Sequence, residues 1–386
     1  MNNKNGNSFS QILTTEGIGG NTERWLGLIE SVSTDDIEKA ITAPTGKFSI
    51  GSLAAMLSPK AKCHLEQMAQ KAQQITRQKF GNVVQMYAPL YISNYCLNDC
   101  QYCAFNKKGS PNRVRLSIDQ ACAEAEVIAA EGFRHILLVS GEDPKFVTTD
   151  YLTELTKRLR EKFSSISIEI QPMKQADYEK LFSVGIDGIA AYQETYDKTD
   201  YAKFHKTGPK ADYDWRLDTL GRAGAAGFRS LGLGYLIGLS DWRIQALTMA
   251  LHANYLMKKY WQAKVSFSFP RMRPAADVDE KLFQHMISDS DLAQMMIALR
   301  LCFPDAEIVL STRENQKFRD NITPICVTRV SAGSRTNPGG YANKDDALKQ
   351  FEIADNRDAA EIVRMLKTKG LEAVWKDFDT AFTKEN

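Results

Sequence analysis

Three cysteines stand within eight positions of one another in the segment NYCLNDCQYCAF, residues 94–105. They are Cys96, Cys100 and Cys103. Thiolates are soft ligands that suit zinc or iron–sulfur clusters, and a closed zinc site needs a fourth ligand, which is not present nearby. A [4Fe–4S] cluster held by three cysteines leaves one iron free to bind a small molecule. The spacing therefore favours an incompletely ligated cluster over structural zinc.

The composition limits the possible partners and compartment. The chain has 386 residues, of which 43% are hydrophobic, so it can form two or three domains or one large barrel. Its 49 basic and 47 acidic residues nearly cancel, which gives no electrostatic reason to expect nucleic acid or a membrane surface as a partner. The N-terminus lacks a secretory pattern, and no apolar run is long enough to span a bilayer. We expect a cytoplasmic protein without nucleic-acid or membrane partners.

The elements that position the cysteines fall into four regions. Residues 1–22 are predicted to be a flexible tail, and 23–82 an N-terminal helical extension with helices at 34–42 and 59–80. From residue 83, short apolar runs alternate with amphipathic stretches, which is typical of a parallel sheet with helical crossovers.

Eight of these runs are predicted strands, and eight strands close a (β/α)8 TIM barrel. The predicted strands are 83–92, 135–141, 165–172, 188–194, 230–238, 264–270, 307–312 and 325–332. Predicted helices between them lie at about 117–131, 149–163, 175–184, 212–226, 242–260 and 289–302. The fold class is therefore α/β, with the barrel over 83–334 and a C-terminal segment, 335–386, covering it.

Polar residues follow the strands at their carboxyl ends, where barrel enzymes build their active sites. They are the cysteine loop, Gly141 and Glu142, Gln171, Gln193 and Glu194, Gly238, Arg271 and Arg273, Arg313 and Glu314, and Ser331 to Ser334. A single polar residue at this position can simply mark the start of a loop. The concentration of residue types that occur in active sites makes this explanation insufficient for the whole set.

A C-x3-C-x2-C motif after the first strand of such a barrel resembles the radical S-adenosylmethionine (SAM) superfamily. The resemblance implies that the free iron binds the amino and carboxylate groups of SAM, whose reductive cleavage gives methionine and a 5′-deoxyadenosyl radical. It also implies that Phe105, two residues beyond the last cysteine, lies beside these cofactors. The remaining Cys63, Cys122, Cys302 and Cys326 are predicted to be small core residues.

Other motifs agree with the superfamily and assign further SAM contacts. SGED, residues 140–143, looks like the element that places Gly141 and Glu142 beside the SAM amino group. YQET, 192–195, is similar to a ribose and carboxylate contact and supplies Gln193 and Glu194. Arg216 is the expected partner of the SAM carboxylate, and Gly238 is expected near the adenine because glycine permits close approach of a flat ring.

Longer segments resemble one family, the anaerobic tyrosine lyases of thiamine biosynthesis, or 2-iminoacetate synthases. They include APLYISNYCLNDCQYC, GLGYLIGLSDWR, SFSFPRMRP, NPGGYA and GLEAVWKDFD. The resemblance implies cleavage of the Cα–Cβ bond of L-tyrosine to 2-iminoacetate and p-cresol. It further implies a thiazole synthase protein and a flavodoxin- or ferredoxin-type electron donor as partners. The chain departs from the family pattern at Ala104 and Asp197, neither of which is an expected ligand.

The substrate site should neutralise the tyrosine carboxylate, because an isolated charge in a dry cavity is costly. Arg313 is the first candidate, by resemblance and because a guanidinium matches a carboxylate. Ser331 can add a hydrogen bond, and either Arg271 or Arg273 can face inward. We expect the helical extension and the C-terminal segment to roof the barrel and exclude water.

Other functions remain open from the sequence. A related tyrosine lyase of hydrogenase maturation has further C-terminal cysteines, whereas this sequence has none after Cys326. A tryptophan lyase and a deazaflavin-forming enzyme are two other relatives with the same type of barrel. The alternative of a different class is a non-catalytic Fe–S electron-transfer module.

Overall fold

The computed structural model describes residues 6–17, 22–109, 112–343 and 347–376. Within them, five helices precede the sheet: α1 (Phe9–Thr15), α2 (Thr22–Glu30), α3 (Thr34–Thr42), α4 (Ile50–Leu57) and α5 (Leu65–Phe80). Ser33 caps α3 in a capping box with Asp36, which explains why the helix begins there.

The first helix corrects one expectation, because part of the predicted flexible tail is ordered. Ser8 caps α1, and Phe9 is buried and stacks on His252 with ring centroids 4.2 Å apart. Ser10 donates a 2.6 Å hydrogen bond to Asp218. A short amphipathic helix thus docks on the barrel, and the Asn- and Gly-rich residues around it conceal this in the sequence.

Eight parallel strands form the predicted closed barrel, in the order β2 to β8 with β1 pairing both β8 and β2. The strands are β1 (Val83–Ser93), β2 (His135–Ser140), β3 (Ser165–Glu169), β4 (Gly188–Ala190), β5 (Ser230–Gly234), β6 (Lys264–Ser268), β7 (Glu307–Leu310) and β8 (Arg329–Ser331). The prediction of a (β/α)8 fold is confirmed.

Nine helices of the described residues lie between the strands. They are α6 (Ile118–Ala130), α7 (Thr149–Leu159), α8 (Gln175–Ser183), α9 (Lys198–Phe204), α10 (Tyr213–Leu217), α11 (Thr219–Ala225), α12 (Trp242–Lys259), α13 (Asp289–Cys302) and α14 (Gln316–Cys326). Short 3₁₀ helices occur at Pro59–His64, Pro209–Ala211 and Glu280–Leu282.

The predicted eighth strand, 325–332, is partly wrong, because its first two residues belong to α14. This helix contains Pro324 and β-branched residues, which in sequence favour a strand or a break over a helix. Thr323 donates a 2.6 Å hydrogen bond from its hydroxyl to the carbonyl of Arg319, which satisfies the side chain within the helix. Only Arg329–Ser331 remains as strand.

The C-terminal region adds α15 (Ala359–Thr368) and a ninth strand, β9 (Glu372–Val374). β9 pairs in parallel with Val83–Gln85, the first residues of β1. This is possible because β1 is long: its pairing with β2 begins only at Ala88, which leaves the earlier edge open.

The N-terminal helices pack on the side of the barrel. α4 contacts α12 and α13, and α5 contacts α13 and α14. Their apolar faces join the same continuous core as the barrel helices. Among the described residues, no helix combines the length and apolar character needed to cross a bilayer.

Candidate active site

A cavity opens at the carboxyl ends of the strands, as the sequence predicts. We call it the rim cavity; it contains Cys96, Cys100, Cys103 and residues that follow β2, β3, β4, β7 and β8. Its empty space, counted out to the solvent, is about 1310 Å³. The rim cavity therefore lies at the end of the barrel where barrel enzymes build their active sites.

The loop that carries the cysteines is held by its own backbone and by Arg113. Asn94 pairs with Val114 through both its backbone N–H (3.2 Å) and its side-chain oxygen (2.6 Å). Arg113 donates to the carbonyls of Asn94 (2.6 Å) and Phe105 (3.0 Å). These hydrogen bonds fix the two ends of the cysteine loop against each other.

Gly141 lets the end of β2 approach the cysteine loop. A Cβ atom built on Gly141 would lie 2.2 Å from the Tyr95 carbonyl oxygen and 3.0 Å from the Cβ of Cys96. A backbone hydrogen bond holds the two segments together, because the N–H of Leu97 donates to the carbonyl of Glu142 at 3.0 Å. Glycine is needed here for close packing, and its position beside Cys96 agrees with the sequence assignment.

The three thiols fit a cluster with one cysteine per iron. Cys100 is buried, and burial raises the pKa of its thiol; burial likewise raises the pKa of Cys103 to about 11. Side-chain amides approach two sulfurs: Asn98 lies 3.5 Å from Cys96 Sγ and Gln350 3.9 Å from Cys103 Sγ. Among the described residues, no three His, Cys, Asp or Glu side chains converge on a site for a single metal ion. The cysteines of a [4Fe–4S] cluster need not converge in this way, because each binds a different iron.

Two carboxylates and two cations form a balanced set in the rim cavity. Glu194 Oε1 lies 2.7 Å from Lys210 Nζ and 3.6 Å from Arg216 Nη2. Arg216 also reaches Glu142 Oε1 at 3.3 Å. Burial alone would raise the pKa of Glu194. The positive charges of Lys210 and Arg216 lower it by more, so the pKa lies below its usual value. Lys210 was not predicted from the sequence.

Two buried oxygens beside this set have no partner among the described residues. They are Glu142 Oε2 and Ser140 Oγ, both from the end of β2. Buried acceptors are normally satisfied. These two are therefore suited to a ligand with N–H or O–H donors, such as the amino group of SAM.

Arg313 lies in the same cavity without a carboxylate partner in the described chain. Its guanidinium stacks 3.3 Å from the centroid of the Phe351 ring and donates to the carbonyl of Arg271 at 3.4 Å. Ser331 accepts a 3.1 Å hydrogen bond from the backbone of Thr312, and Ser334 Oγ is buried without a partner. This part of the rim cavity offers a cation and a free hydroxyl to an anionic group.

Glu169, the last residue of β3, is a second residue that the sequence prediction missed. Burial, reinforced by the charge of Glu194, raises its pKa to about 7. The predicted strand 165–172 overran its true end, so Gln171 was taken as the rim residue. Gln171 instead donates to the carbonyl of Val147 at 2.7 Å, outside the cavity.

The C-terminal segment forms one wall of the rim cavity, but the N-terminal helices do not. Tyr91 donates a 2.7 Å hydrogen bond to Gln350, whose own carbonyl accepts from Ala104 in the cysteine loop at 3.4 Å. No lining residue comes from the described part of 1–82. The expectation that the helical extension roofs the barrel is wrong, because those helices pack on its side.

His205, to which the sequence gave no role, positions an aromatic ring of the site. Its Nε2 lies 2.7 Å from the hydroxyl of Tyr102, and its Nδ1 lies 2.8 Å from the carbonyl of Tyr201. Since a carbonyl only accepts, Nδ1 donates and Nε2 accepts from Tyr102. Burial lowers the pKa of His205 to about 3, which keeps the ring neutral.

Three predicted site residues lie outside the cavity lining. Gln193 turns toward the carbonyl of Tyr213, 3.4 Å away. At Gly238, a Cβ would meet the side chain of Met272 at 2.7 Å, so glycine there makes room for a methionine side chain. Arg271 is paired with Glu314 and with Asp289, which leaves it no role toward a substrate carboxylate.

The other predicted residues come together as expected. The rim cavity contains Cys96, Cys100, Cys103, Phe105, Gly141, Glu142, Glu194, Arg216, Arg313 and Ser331. Phe105 is fully buried, with Tyr91 edge-on at 6.0 Å between ring centroids. Of the other cysteines, Cys302 and Cys326 are buried as predicted, whereas Cys63 is exposed.

Comparison with known proteins gives two family matches. Residues 90–250 match the radical SAM superfamily, and residues 268–372 match the Biotin and Thiamin Synthesis associated domain. The two matches meet within the second half of the barrel.

Full-length relatives are similar along nearly the whole chain. The 2-iminoacetate synthase of Escherichia coli (strain K12) is 42% identical over 353 residues, 91% of this chain and 93% of that protein. The 2-iminoacetate synthase of Salmonella typhimurium is 42% identical over 368 residues, 93% of this chain and 97% of that protein. The crystal structure of the FeFe-hydrogenase maturase HydG from Carboxydothermus hydrogenoformans is 31% identical, with a TM-score of 0.84 over 94% of this chain and 85% of that one.

Proposed function

The chain belongs to the 2-iminoacetate synthase family of the radical SAM superfamily, and we propose that it cleaves the Cα–Cβ bond of L-tyrosine. The products are 2-iminoacetate and p-cresol, formed together with methionine and 5′-deoxyadenosine. The enzyme is a lyase that uses a [4Fe–4S] cluster and SAM.

One observation carries the residue assignments: three cysteines, a balanced set of four charges and an arginine without a carboxylate partner in the described chain share one cavity at the barrel rim. Cys96, Cys100 and Cys103 hold three irons of the cluster. When bound, the cluster and SAM together supply a 5′-deoxyadenosyl radical. The chain itself binds, orients and shields the reactants.

The SAM side of the cavity is assigned to the residues next to the cysteines. Arg216 pairs with the SAM carboxylate, as a guanidinium suits that geometry. Glu142 and Ser140 accept hydrogen bonds from its amino group, which satisfies the two oxygens that lack partners. Glu194 and Gly141 complete this side.

The substrate side is assigned to Arg313, which holds the tyrosine carboxylate, with Ser331 and Ser334 beside it. Arg313 is half-buried, and a partly desolvated guanidinium without a carboxylate partner in the described chain is destabilised unless a ligand supplies one. The carboxylate of L-tyrosine is such a ligand.

Two further assignments are part of the proposal. A thiazole synthase protein receives the imine, which water would otherwise hydrolyse, and a reduced flavodoxin- or ferredoxin-type protein supplies the electron. The enzyme works in the cytoplasm.

The test is anaerobic reconstitution with iron and sulfide, followed by turnover with SAM, L-tyrosine and a reductant. We expect p-cresol, 5′-deoxyadenosine and glyoxylate from the hydrolysed imine. In a parallel reaction with L-tryptophan, formation of a methylindole carboxylic acid would instead indicate a tryptophan lyase. A reducible cluster that never cleaves SAM would indicate an electron-transfer module.

Cys100→Ala should abolish SAM cleavage, because a ligand of the cluster is lost. Cys122→Ala is the matched control, since Cys122 lies in α6 away from the rim cavity, and it should retain most activity. Equal loss in both variants would contradict the ligand assignment.

A further inference from the structure

Glu169 carries a carboxylate that nothing in the described chain satisfies. It ends β3 inside the rim cavity, and no hydrogen bond or ion pair of its side chain occurs among the described residues. Glu169 is half-buried, and a carboxylate partly withdrawn from water without a partner is unfavourable. Such a group is therefore suited to a cationic or hydrogen-bond-donating ligand.

The other charges of the cavity point to the kind of ligand. Glu142 and Glu194 are already paired with Lys210 and Arg216. That leaves one carboxylate, on Glu169, and one guanidinium, on Arg313, whose charges act on each other. An amino acid zwitterion carries the complementary pair, an ammonium and a carboxylate on one carbon.

We propose that Glu169 binds the α-amino group of L-tyrosine while Arg313 binds its carboxylate, an assignment that rests on the function proposed above. Glu169 then accepts one proton from the bound ammonium. The proton moves from nitrogen to a carboxylate oxygen with no change in oxidation state, and the substrate is left as a neutral amine.

The groups around Glu169 set the pH at which it can do this. Its carboxylate is under the influence of tyrosines, one other carboxylate and three cations: Tyr87, Tyr91, Tyr192, Glu194, Lys210, Arg216 and Arg313. Burial and Glu194 raise its pKa to about 7, so the protonated form prevails below that pH. Tyrosine binding should strengthen as the pH rises through 7, because only the ionised carboxylate attracts an ammonium.

The test compares Glu169→Gln with the wild type by equilibrium dialysis, using reconstituted, SAM-loaded enzyme without reductant so that no turnover occurs. One ligand is L-tyrosine, and the other is 3-(4-hydroxyphenyl)propanoate, which lacks only the amino group. We expect at least tenfold weaker binding of tyrosine, a loss of its pH dependence near 7, and a change of less than twofold for the analogue. SAM affinity should be unchanged.

Glu194→Gln is the matched control, because it removes a carboxylate of the same cavity from the SAM side. It should weaken SAM, and at a pH well above 7, where the Glu169 carboxylate is ionised in both proteins, it should spare tyrosine. If Glu169→Gln weakens the analogue as much as tyrosine, or weakens SAM instead, the assignment is wrong. Dialysis requires no reaction, so absence of p-cresol from the wild type would overturn the proposed function separately.

Discussion

Replacing Gly141 with alanine should disturb the cluster loop, because the new methyl group has no room. It would lie 2.2 Å from the Tyr95 carbonyl oxygen, whereas ordinary contacts need about 3.5 Å. The loop must therefore retreat by roughly 1 Å, at a cost of about 1–3 kcal/mol. Cys96 is the next residue and moves with it.

A displacement of that size matters more for ligation than for folding. Metal ligands are held to within about 0.2 Å, and a misplacement of about 1 Å can cost ~10² in rate. We expect Gly141→Ala to fold but to retain less iron per chain after reconstitution, and to cleave SAM about 10²-fold more slowly.

Iron and sulfide content, the EPR spectrum of the reduced protein and 5′-deoxyadenosine formation are the assays. The matched control is Gly27→Ala in α2, where a Cβ meets nothing within 4 Å. This change should stabilise the helix by up to ~1 kcal/mol and leave the cluster intact. Wild-type iron content and SAM cleavage in Gly141→Ala would refute the reasoning.

Two other substitutions test the substrate side and the fold. Arg313→Gln should weaken L-tyrosine binding by about 3 kcal/mol, or ~10²-fold, in dialysis. Binding of tyramine, which lacks the carboxylate, should change far less at a pH well above 7, where Glu169 is ionised. Asp355→Asn should destabilise the protein by about 3 kcal/mol in urea unfolding, because it breaks a fully buried pair with Arg319. Burial would raise the pKa of Asp355, but hydrogen bonds and neighbouring arginines lower it. The stability that ionised Asp355 contributes should therefore be lost as the pH falls below about 4 and the carboxylate is protonated. Asp150→Asn, which breaks an exposed pair with Lys180, should leave the stability nearly unchanged and serves as the control.

The sequence predicts those features of the site that follow from local pattern. Strands of apolar residues end in polar ones, and this placed Glu142 and Arg313 at the rim. The three cysteine ligands could be predicted from their spacing and from the strand that precedes them. Glu194 was also placed correctly, although it adopts the left-handed region with φ of 67°.

The residues that were misplaced depend on where a strand ends and how the chain leaves it. β4 ends at Ala190 rather than at 194, so the alternation of faces could not be extended to Gln193. Gly238 and Arg271 likewise follow the ends of their strands, and side chains from distant loops occupy the space beside them. Strand parity is reliable only within the paired residues.

Lys210 and Gln350 could not have been found from pattern. Lys210 lies in the short 3₁₀ helix Pro209–Ala211, about twenty residues after the end of β4, where its sequence does not distinguish it from a surface lysine. Gln350 reaches the cysteine loop from the far end of the chain. Both positions are fixed by tertiary packing, which composition and spacing do not encode.

β9 covers the backbone edge of the first residues of β1 at the base of the barrel. Without Glu372–Val374, the backbone of Val83–Gln85 would present free N–H and C=O groups along an open strand edge. A strand of another chain can pair with such an exposed edge. Shortening the protein before residue 372 would therefore favour aggregation, although no catalytic group is removed.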